Sequence, residues 1–597
     1  MQFKISKRDG PARIGEFIVG KKQVKTPNIF YVDTNRFNAP NFADILISNS
    51  KIKKEKPTLQ VSRQFFYPKD MQRELHFSAI KQSNKENKDY FVIPGNKNII
   101  DATLKDNPAS LFIVANAFQL FQQPKYFVDF IVKLREETEY QKTIYLPTIG
   151  SPSSISLLAY MGVDFFDSIS AIQAARANTL LFPTGNHVKE DLQELPCNCP
   201  ACTKIKANPS EMRFQEILNH NYFALSSEIK QVRNAIANGT IRELVETRVR
   251  VSPTLTAMLR NLDTNHPTFL EERTSVTSKR QLLATTKESL LRPEIKRFQK
   301  RIIERYRKPA SAKVIVLLPC SSKKPYSFSK SHRLYEQQIH NSGNIGVVHE
   351  VIITSPLGIV PRELELVYPA STYDIPVTGV WDEDEKNMIR RLLKQYLEIN
   401  KYDKIVAHLP LEIMEFTKDL LKQPTITCKD NPTSKESLKN LSASLKKIVQ
   451  KYEKIDFQTR YRENLQSLAS YQFNDTVAEK LLSHCKIKGK YPYQKIMYNN
   501  RQVGMLTKER GLISLTLDGA KRIADTKTYW IEIYDDFTLK GSVFAPGVKS
   551  ADSKIRIGDE TIVLKNNNLC AVGVAQMSGR EMTEATHGEA VKIRHRI

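Results

Sequence analysis

Val314-Ile-Val-Leu-Leu318 is apolar at every position and stops at Pro319. A strand with one wet face alternates; a strand that is apolar throughout is buried on both faces, as in parallel sheets covered by helices. Two further segments have the same form. Glu350-Val-Ile-Ile-Thr-Ser-Pro356 and Asp403-Lys-Ile-Val-Ala-His-Leu-Pro410 each end at a proline. Between them Met388, Ile389, Leu392, Leu393 and Tyr396 share one helical face within 384–398. Crossovers of that length join parallel strands. Residues 311–430 are therefore expected to form an α/β domain. Cys320, Ser355 and His408 should lie together at its carboxyl edge, where open α/β sheets bind ligands.

The residues past the first strand carry chemistry. Cys320, Lys324, Tyr326, Ser329 and His332 place a thiol, an amine, a phenol, a hydroxyl and an imidazole within a dozen positions. A thiol needs a neighbouring cation or base to act as a nucleophile, and Lys324 and His332 are the candidates. A glycine and two prolines stiffen the segment 355–365, which ends in Arg362, Glu363 and Glu365. Tyr373-Asp-Ile-Pro-Val-Thr-Gly379 adds Asp374. These carboxylates could bind an amine, whereas Asp382 to Glu385 suit a helix start.

The chain has 597 residues, too many for one core, and several domains are expected. No apolar run is long enough to span a membrane and no signal-like core opens the chain, so a soluble, cytoplasmic protein is expected. Its net charge of +26 is spread along the sequence and points to a nucleic-acid partner. Seven cysteines, an odd number, argue against a disulfide framework. Cys197, Cys199 and Cys202 have the spacing to face one tetrahedral cation, and His220 would close a Cys3His set. With no open position for water, such a zinc site is structural.

Residues 1–250 alternate strand and helix patterns in the manner of a (β/α) barrel. Residues 251–310 read as a basic helical connector whose charged face is either solvated or an RNA contact. Residues 431–464, rich in Lys and Ser, read as a helical linker, and 465–526 as a small α+β module. Short strands over 527–597 suggest a small β-barrel ending in a basic strand.

Several strings resemble known families. Arg8-Asp-Gly-Pro-Ala-Arg-Ile-Gly15, Gly162-Val-Asp-Phe-Phe-Asp-Ser168 and the Cys197, Cys199, Cys202, His220 set resemble the archaeal tRNA-guanine transglycosylases, zinc-bearing TIM-like barrels that exchange a tRNA base. Asp167 matches that family's nucleophile. The motif carrying its second catalytic aspartate is missing, its nearest counterpart being Val114-Ala-Asn-Ala-Phe-Gln119. The resemblance thus implies a degenerate barrel with its zinc intact and Asp167 in a structural role. Residues 527–597 resemble a PUA domain, which implies RNA contacts at Gly547, Lys592, Arg594 and Arg596.

Pro319-Cys320, Lys324-Pro-Tyr326, Ser329 and His332 together resemble the signature of the archaeosine synthases, and the 355–364 and 373–379 strings fit the same family. The resemblance implies catalytic roles for Cys320, Lys324, Tyr326, Ser329, His332 and Asp374. It implies substrate contacts at Ser355, Arg362, Glu363, Glu365 and His408. The expected reaction adds an amine donor to the nitrile of 7-cyano-7-deazaguanine at position 15 of the tRNA D-loop. Lysine is favoured as donor over glutamine because no glutaminase signature is present. A radical-SAM partner would convert the adduct to archaeosine; a homo-oligomer is left open. A glutamine-dependent amidinotransferase, a working transglycosylase and a non-catalytic tRNA-presenting subunit are the rival readings.

Overall fold

The computed structural model describes residues 1–48, 56–61, 81, 84, 89–100, 104, 107–138, 140–205, 208–377 and 379–597. Parts of the expected barrel, and Thr378 of the 373–379 string, lie outside them. The chain divides into two compact units, Met1–Thr274 with Glu584–Gly588, and Ser275–Thr583 with Glu589–Ile597. Among the described residues no helix is long and apolar enough to cross a membrane.

The first unit opens with an antiparallel sheet of β1 (Gln2–Asp9), β2 (Ala12–Val19) and β3 (Lys22–Thr26). The β1–β2 turn is Gly10-Pro11, with Gly10 at φ +57°, a conformation that favours glycine. Seven parallel strands follow: β4 (Asn28–Val32), β5 (Ile45–Ser48), β6 (Thr58–Gln60), β7 (Tyr90–Ile93), β8 (Leu111–Val114), β9 (Thr143–Tyr145) and β10 (Phe165–Asp167). Their order in the sheet is β6-β5-β4-β10-β9-β8-β7, so the first strand of the series pairs with the last. Alternation sorts their side chains. Phe30, Ile45, Ile47, Val92, Leu111, Ile113, Tyr145 and Phe165 form one inner cluster, to which Phe3, Phe17 and Val24 of the first sheet belong. Ile29, Tyr31, Leu46, Phe112, Ile144 and Phe166 face the other way, into the core shared with the helices. Two strings singled out in the sequence meet here. Arg13 donates from Nε and Nη2 to both oxygens of Asp164, at 2.8 and 2.7 Å, in a buried bidentate pair.

In the second unit the strands are β11 (Val314–Pro319), β12 (Val348–Thr354), β13 (Gly358–Pro361), β14 (Lys404–Ala407) and β15 (Thr425–Ile426). The sheet order is β13-β12-β11-β14-β15. All neighbours are parallel except the hairpin β12–β13. The helix Glu383–Ile399 starts at a reciprocal Asp382/Glu385 cap and buries the apolar face read from the sequence. A four-stranded antiparallel sheet within 486–515 and a six-stranded sheet within 530–596 complete the unit.

Two sequence readings are corrected. The stretch 431–464 is no bare linker: the helix Lys435–Val449 inserts Leu441, Leu445 and Val449 into the same cluster as Val314, Val316 and Leu318. The connector's basic face is only partly solvated, Arg280 and Arg307 being exposed. On the helix Pro293–Glu304, Arg297 and Arg301 are buried, with Arg301 over the Tyr471 ring at 5.9 Å.

Candidate active site and metal cluster

The order β12-β11-β14-β15 puts the reversal of connection direction between β11 and β14, and ligands bind outside the carboxyl ends of strands at such a point. Cys320 follows β11 and His408 follows β14 there. Register sets a third residue. Pro319 lies opposite Ile353, so Thr354 at the end of β12 comes beside Cys320.

Cys320 is partly exposed and Thr354 is buried. Burial pushes the thiol up, against the pull of the Thr354 hydroxyl and the Lys324 charge. Lys324 moves the other way: burial lowers it, while Cys320 and Asp374 draw it back. The Lys324 Nζ stands 4.1 Å from the centroid of the Tyr373 ring. Tyr326 and Tyr373, both buried, join their hydroxyls at 2.5 Å, and the Tyr373 hydroxyl meets Thr354 Oγ1 at 2.5 Å. Asp374 is exposed.

The remaining residues named from the sequence hold this edge in shape. Ser329 caps the helix Lys330–His340, accepting from the His332 backbone N–H at 3.2 Å. His332 Nδ1 accepts from Arg362 Nη2 at 2.8 Å, which fixes the proton on Nε2; that nitrogen donates to the Pro319 carbonyl at 3.1 Å. Burial, then the Arg362 charge, push His332 down to about 2, with the Pro319 carbonyl opposing. Arg362 also donates to Glu350 and, at 2.9 Å, to Glu365. Glu365 is fully buried and accepts the Ser327 N–H at 2.9 Å and the Tyr491 hydroxyl at 2.7 Å. Glu363 accepts from the Tyr306 hydroxyl and from His349 Nε2, the latter at 3.2 Å. His408 donates to the Pro432 carbonyl at 2.8 Å and accepts from Thr427 at 2.9 Å. Ser355 is buried, its carbonyl accepting from Thr354 at 2.9 Å.

The structure brings Cys320, Lys324 and Tyr326 together around the strand end where sequence reasoning put them, and adds Thr354, which that reasoning did not single out. The pairing of two strands that both end at proline could have supplied it. Tyr491, more than a hundred positions from Glu365, left no local signal.

In the first unit, the ligand atoms of Cys197, Cys199, Cys202 and His220 all lie within 4.8 Å of one another. Cys202 rides the helix Pro200–Lys204 and His220 the helix Phe214–Asn238. His220 Nε2 donates to the Leu181 carbonyl at 3.2 Å, leaving Nδ1 toward the thiols, 3.4 Å from Cys202 Sγ. The donor set and its closeness fit one metal ion. Asp167 is sealed differently: its carboxylate accepts from the Tyr145 hydroxyl at 2.6 Å and the Thr148 and Ile169 N–H groups at 2.9 and 2.8 Å.

Of the RNA-contact residues, Lys592 and Arg596 are exposed. Arg594 donates to buried Glu560, which also pairs with Arg510 at 2.7 Å. Gly547 is buried, and a Cβ there would come within 2.6 Å of the Phe537 ring, so close packing demands the glycine.

Four family models match: Queuine tRNA-ribosyltransferase over residues 103–254, a domain of unknown function (DUF5591) over 295–445, the patch-forming domain C2 of tRNA-guanine transglycosylase over 463–529, and the PUA domain over 534–597. Fold and matches together define a transglycosylase-like, PUA-bearing tRNA-modifying transferase. The archaeosine synthase subunit alpha of Methanosarcina acetivorans is 33% identical, covering 99% of both chains. The archaeosine synthase of Haloferax volcanii is 37% identical over 83% of each. A tRNA-guanine(15) transglycosylase of Methanobrevibacter smithii is 28% identical over 81% of this chain and 72% of its own. The chain belongs to the archaeosine synthase family.

Proposed function

We propose that this chain adds an amine, lysine by preference, to the nitrile of 7-cyano-7-deazaguanine at position 15 of tRNA, with Cys320 as nucleophile. The observation that supports it is the meeting of Cys320 and Lys324 at the sheet's switch point. Burial raises the thiol and lowers the ammonium, and each group's charge draws the other back. The Cys320 sulfur attacks the nitrile carbon; an S–C bond forms and one C–N π bond opens onto nitrogen. Nitrogen takes a proton from Lys324, which the thiol proton replenishes, leaving a thioimidate. The donor amine then attacks the same carbon. The C–S bond breaks, the amine proton returns to sulfur, and an amidine is left. No electrons are gained or lost.

Asp374, exposed beside Lys324, is the carboxylate suited to the donor's ammonium. Arg362, Glu363, Glu365, Ser329, His332 and His408 keep the strand ends in place. Zinc at Cys197, Cys199, Cys202 and His220 ties the segment around 200 to the helix Phe214–Asn238, and the first unit serves as a degenerate barrel that holds tRNA. PUA residues Lys592 and Arg596 meet phosphates. The subunit-alpha name of one relative supports a partner subunit downstream.

Purified protein is incubated with tRNA carrying the cyano base and either lysine or glutamine, and nucleosides are weighed by mass spectrometry. A lysine-sized gain with lysine alone is expected. Base exchange on unmodified tRNA without any adduct would overturn the reading.

A further inference from the structure

We propose that Thr354 and Tyr373 are working parts of the reacting centre, Thr354 at the Cys320 sulfur and Tyr373 as the positioning residue that fixes Lys324 and Thr354 together. The proposal deepens the reading of Cys320 and Lys324 as the reacting pair and rests on it.

Three observations converge on Tyr373. Its ring lies 4.1 Å under the Lys324 ammonium. Its hydroxyl meets both Thr354 and Tyr326 at 2.5 Å. Its backbone is pinned, because 373–374 pair in parallel with Leu282 and Leu283, flanked by Leu282 N–H to Thr372 O and Ala284 N–H to Asp374 O bonds of 2.9 Å. One side chain thus holds the amine by its face and the strand-end threonine by its edge. The Thr354 hydroxyl donates to the Ser355 carbonyl at 2.9 Å in the resting arrangement. Register sets Thr354 beside Cys320, and its hydroxyl pulls against the burial that raises the thiol, so it is the donor placed to turn toward an anionic sulfur. Tyr373 can then donate to Thr354 and Tyr326 to Tyr373. A row of hydroxyls that polarise one another strengthens the last donor, and the anion it meets is the leaving thiolate of the second step.

Cys320 is faced by Lys324, Tyr326, Tyr335 and Tyr373, and Lys324 by Asp374. Three of the variants change the hydroxyl row alone or keep it, and the fourth, Tyr373→Leu, also removes the ring under Lys324. Thr354→Val, Thr354→Ser, Tyr373→Phe and Tyr373→Leu are compared in the full-length protein. The first readout is the rate of Cys320 alkylation by iodoacetamide against pH, followed on the Cys320 peptide without tRNA. The second is steady-state adduct formation.

Thr354→Val is expected to move the alkylation midpoint up by about one pH unit and lower kcat about tenfold or more, with KM for tRNA unchanged. Thr354→Ser keeps the wild-type profile. Tyr373→Phe keeps the ring under Lys324 and moves the midpoint in the same direction by less, because Thr354 keeps its own hydroxyl, so it serves if Thr354→Val does not fold. Tyr373→Leu loses more, because Lys324 is released. Wild-type alkylation profiles and kcat in both Thr354→Val and Tyr373→Phe would overturn the proposal. If wild-type protein forms no adduct while the profiles still shift, the reaction assignment fails and this arrangement stands. If wild-type protein forms the adduct while the variants' profiles do not shift, the hydroxyl row is overturned and the reaction assignment stands.

Discussion

At the scale of single residues, His332 shows how a buried imidazole can hold a strand end in place. Its protonation state is fixed by Arg362 on one nitrogen and the Pro319 carbonyl on the other. An imidazole titrates near 6.5 in an unfolded chain, whereas here it is held at about 2. The folded state therefore refuses a proton that the unfolded chain accepts. Stability from this site is full above about pH 6.5 and falls below it by up to about 1.4 kcal/mol per pH unit. His332→Gln keeps an N–H for Pro319 and removes the titration. Urea melts at pH 7.5 and 5.5 should show wild-type protein losing about 1 kcal/mol more than the variant; equal losses would remove this account of the tautomer. The sequence revealed that Cys320, Lys324 and His332 stand near one strand end, because a dozen consecutive positions cannot stray far. It could not reveal that Glu363 and Glu365 are buried partners of Tyr306, His349 and Tyr491, since those partners are distant in the chain.

At the scale of elements, strands and the helix Glu383–Ile399 were legible because apolar periodicity and a reciprocal cap are local signals. The helix Lys435–Val449 was legible as a helix but not as part of a core. Its Lys and Ser content reads as solvent-facing, and the three buried positions gain meaning only within the cluster they share with Tyr335, Ile339 and β11. Leu445→Ala should lower unfolding stability by about 2–5 kcal/mol in denaturant melts. A free linker would change by under about 0.5 kcal/mol. The arginines of the helix Pro293–Glu304 mislead in the same way: their charges suggest water or RNA, while Tyr471 and buried Asp559 receive them. Composition signals exposure only where no long-range partner exists, and sequence periodicity does not locate partners.

For the whole molecule, charge pointed to a nucleic-acid partner, cysteine spacing to a metal-competent cluster, and the resemblance of several strings to a tRNA-modification family. The family matches and the closeness of the four ligand atoms support those readings. The cluster and Cys320 belong to different units. Chelation should therefore lower the melting temperature of the first unit and release one zinc per chain, while the pH profile of Cys320 alkylation stays unchanged. A shifted profile would tie the metal to the chemistry.

The central claim is that the Cys320 sulfur bonds to the cyano base before any amine arrives. Wild-type protein is mixed with tRNA bearing that base, with no donor, and run on a denaturing gel. A covalent protein–tRNA band should appear, be absent for Cys320→Ala, and vanish when lysine is added as the free amidine forms. Amidine formation by Cys320→Ala at the wild-type rate would contradict it.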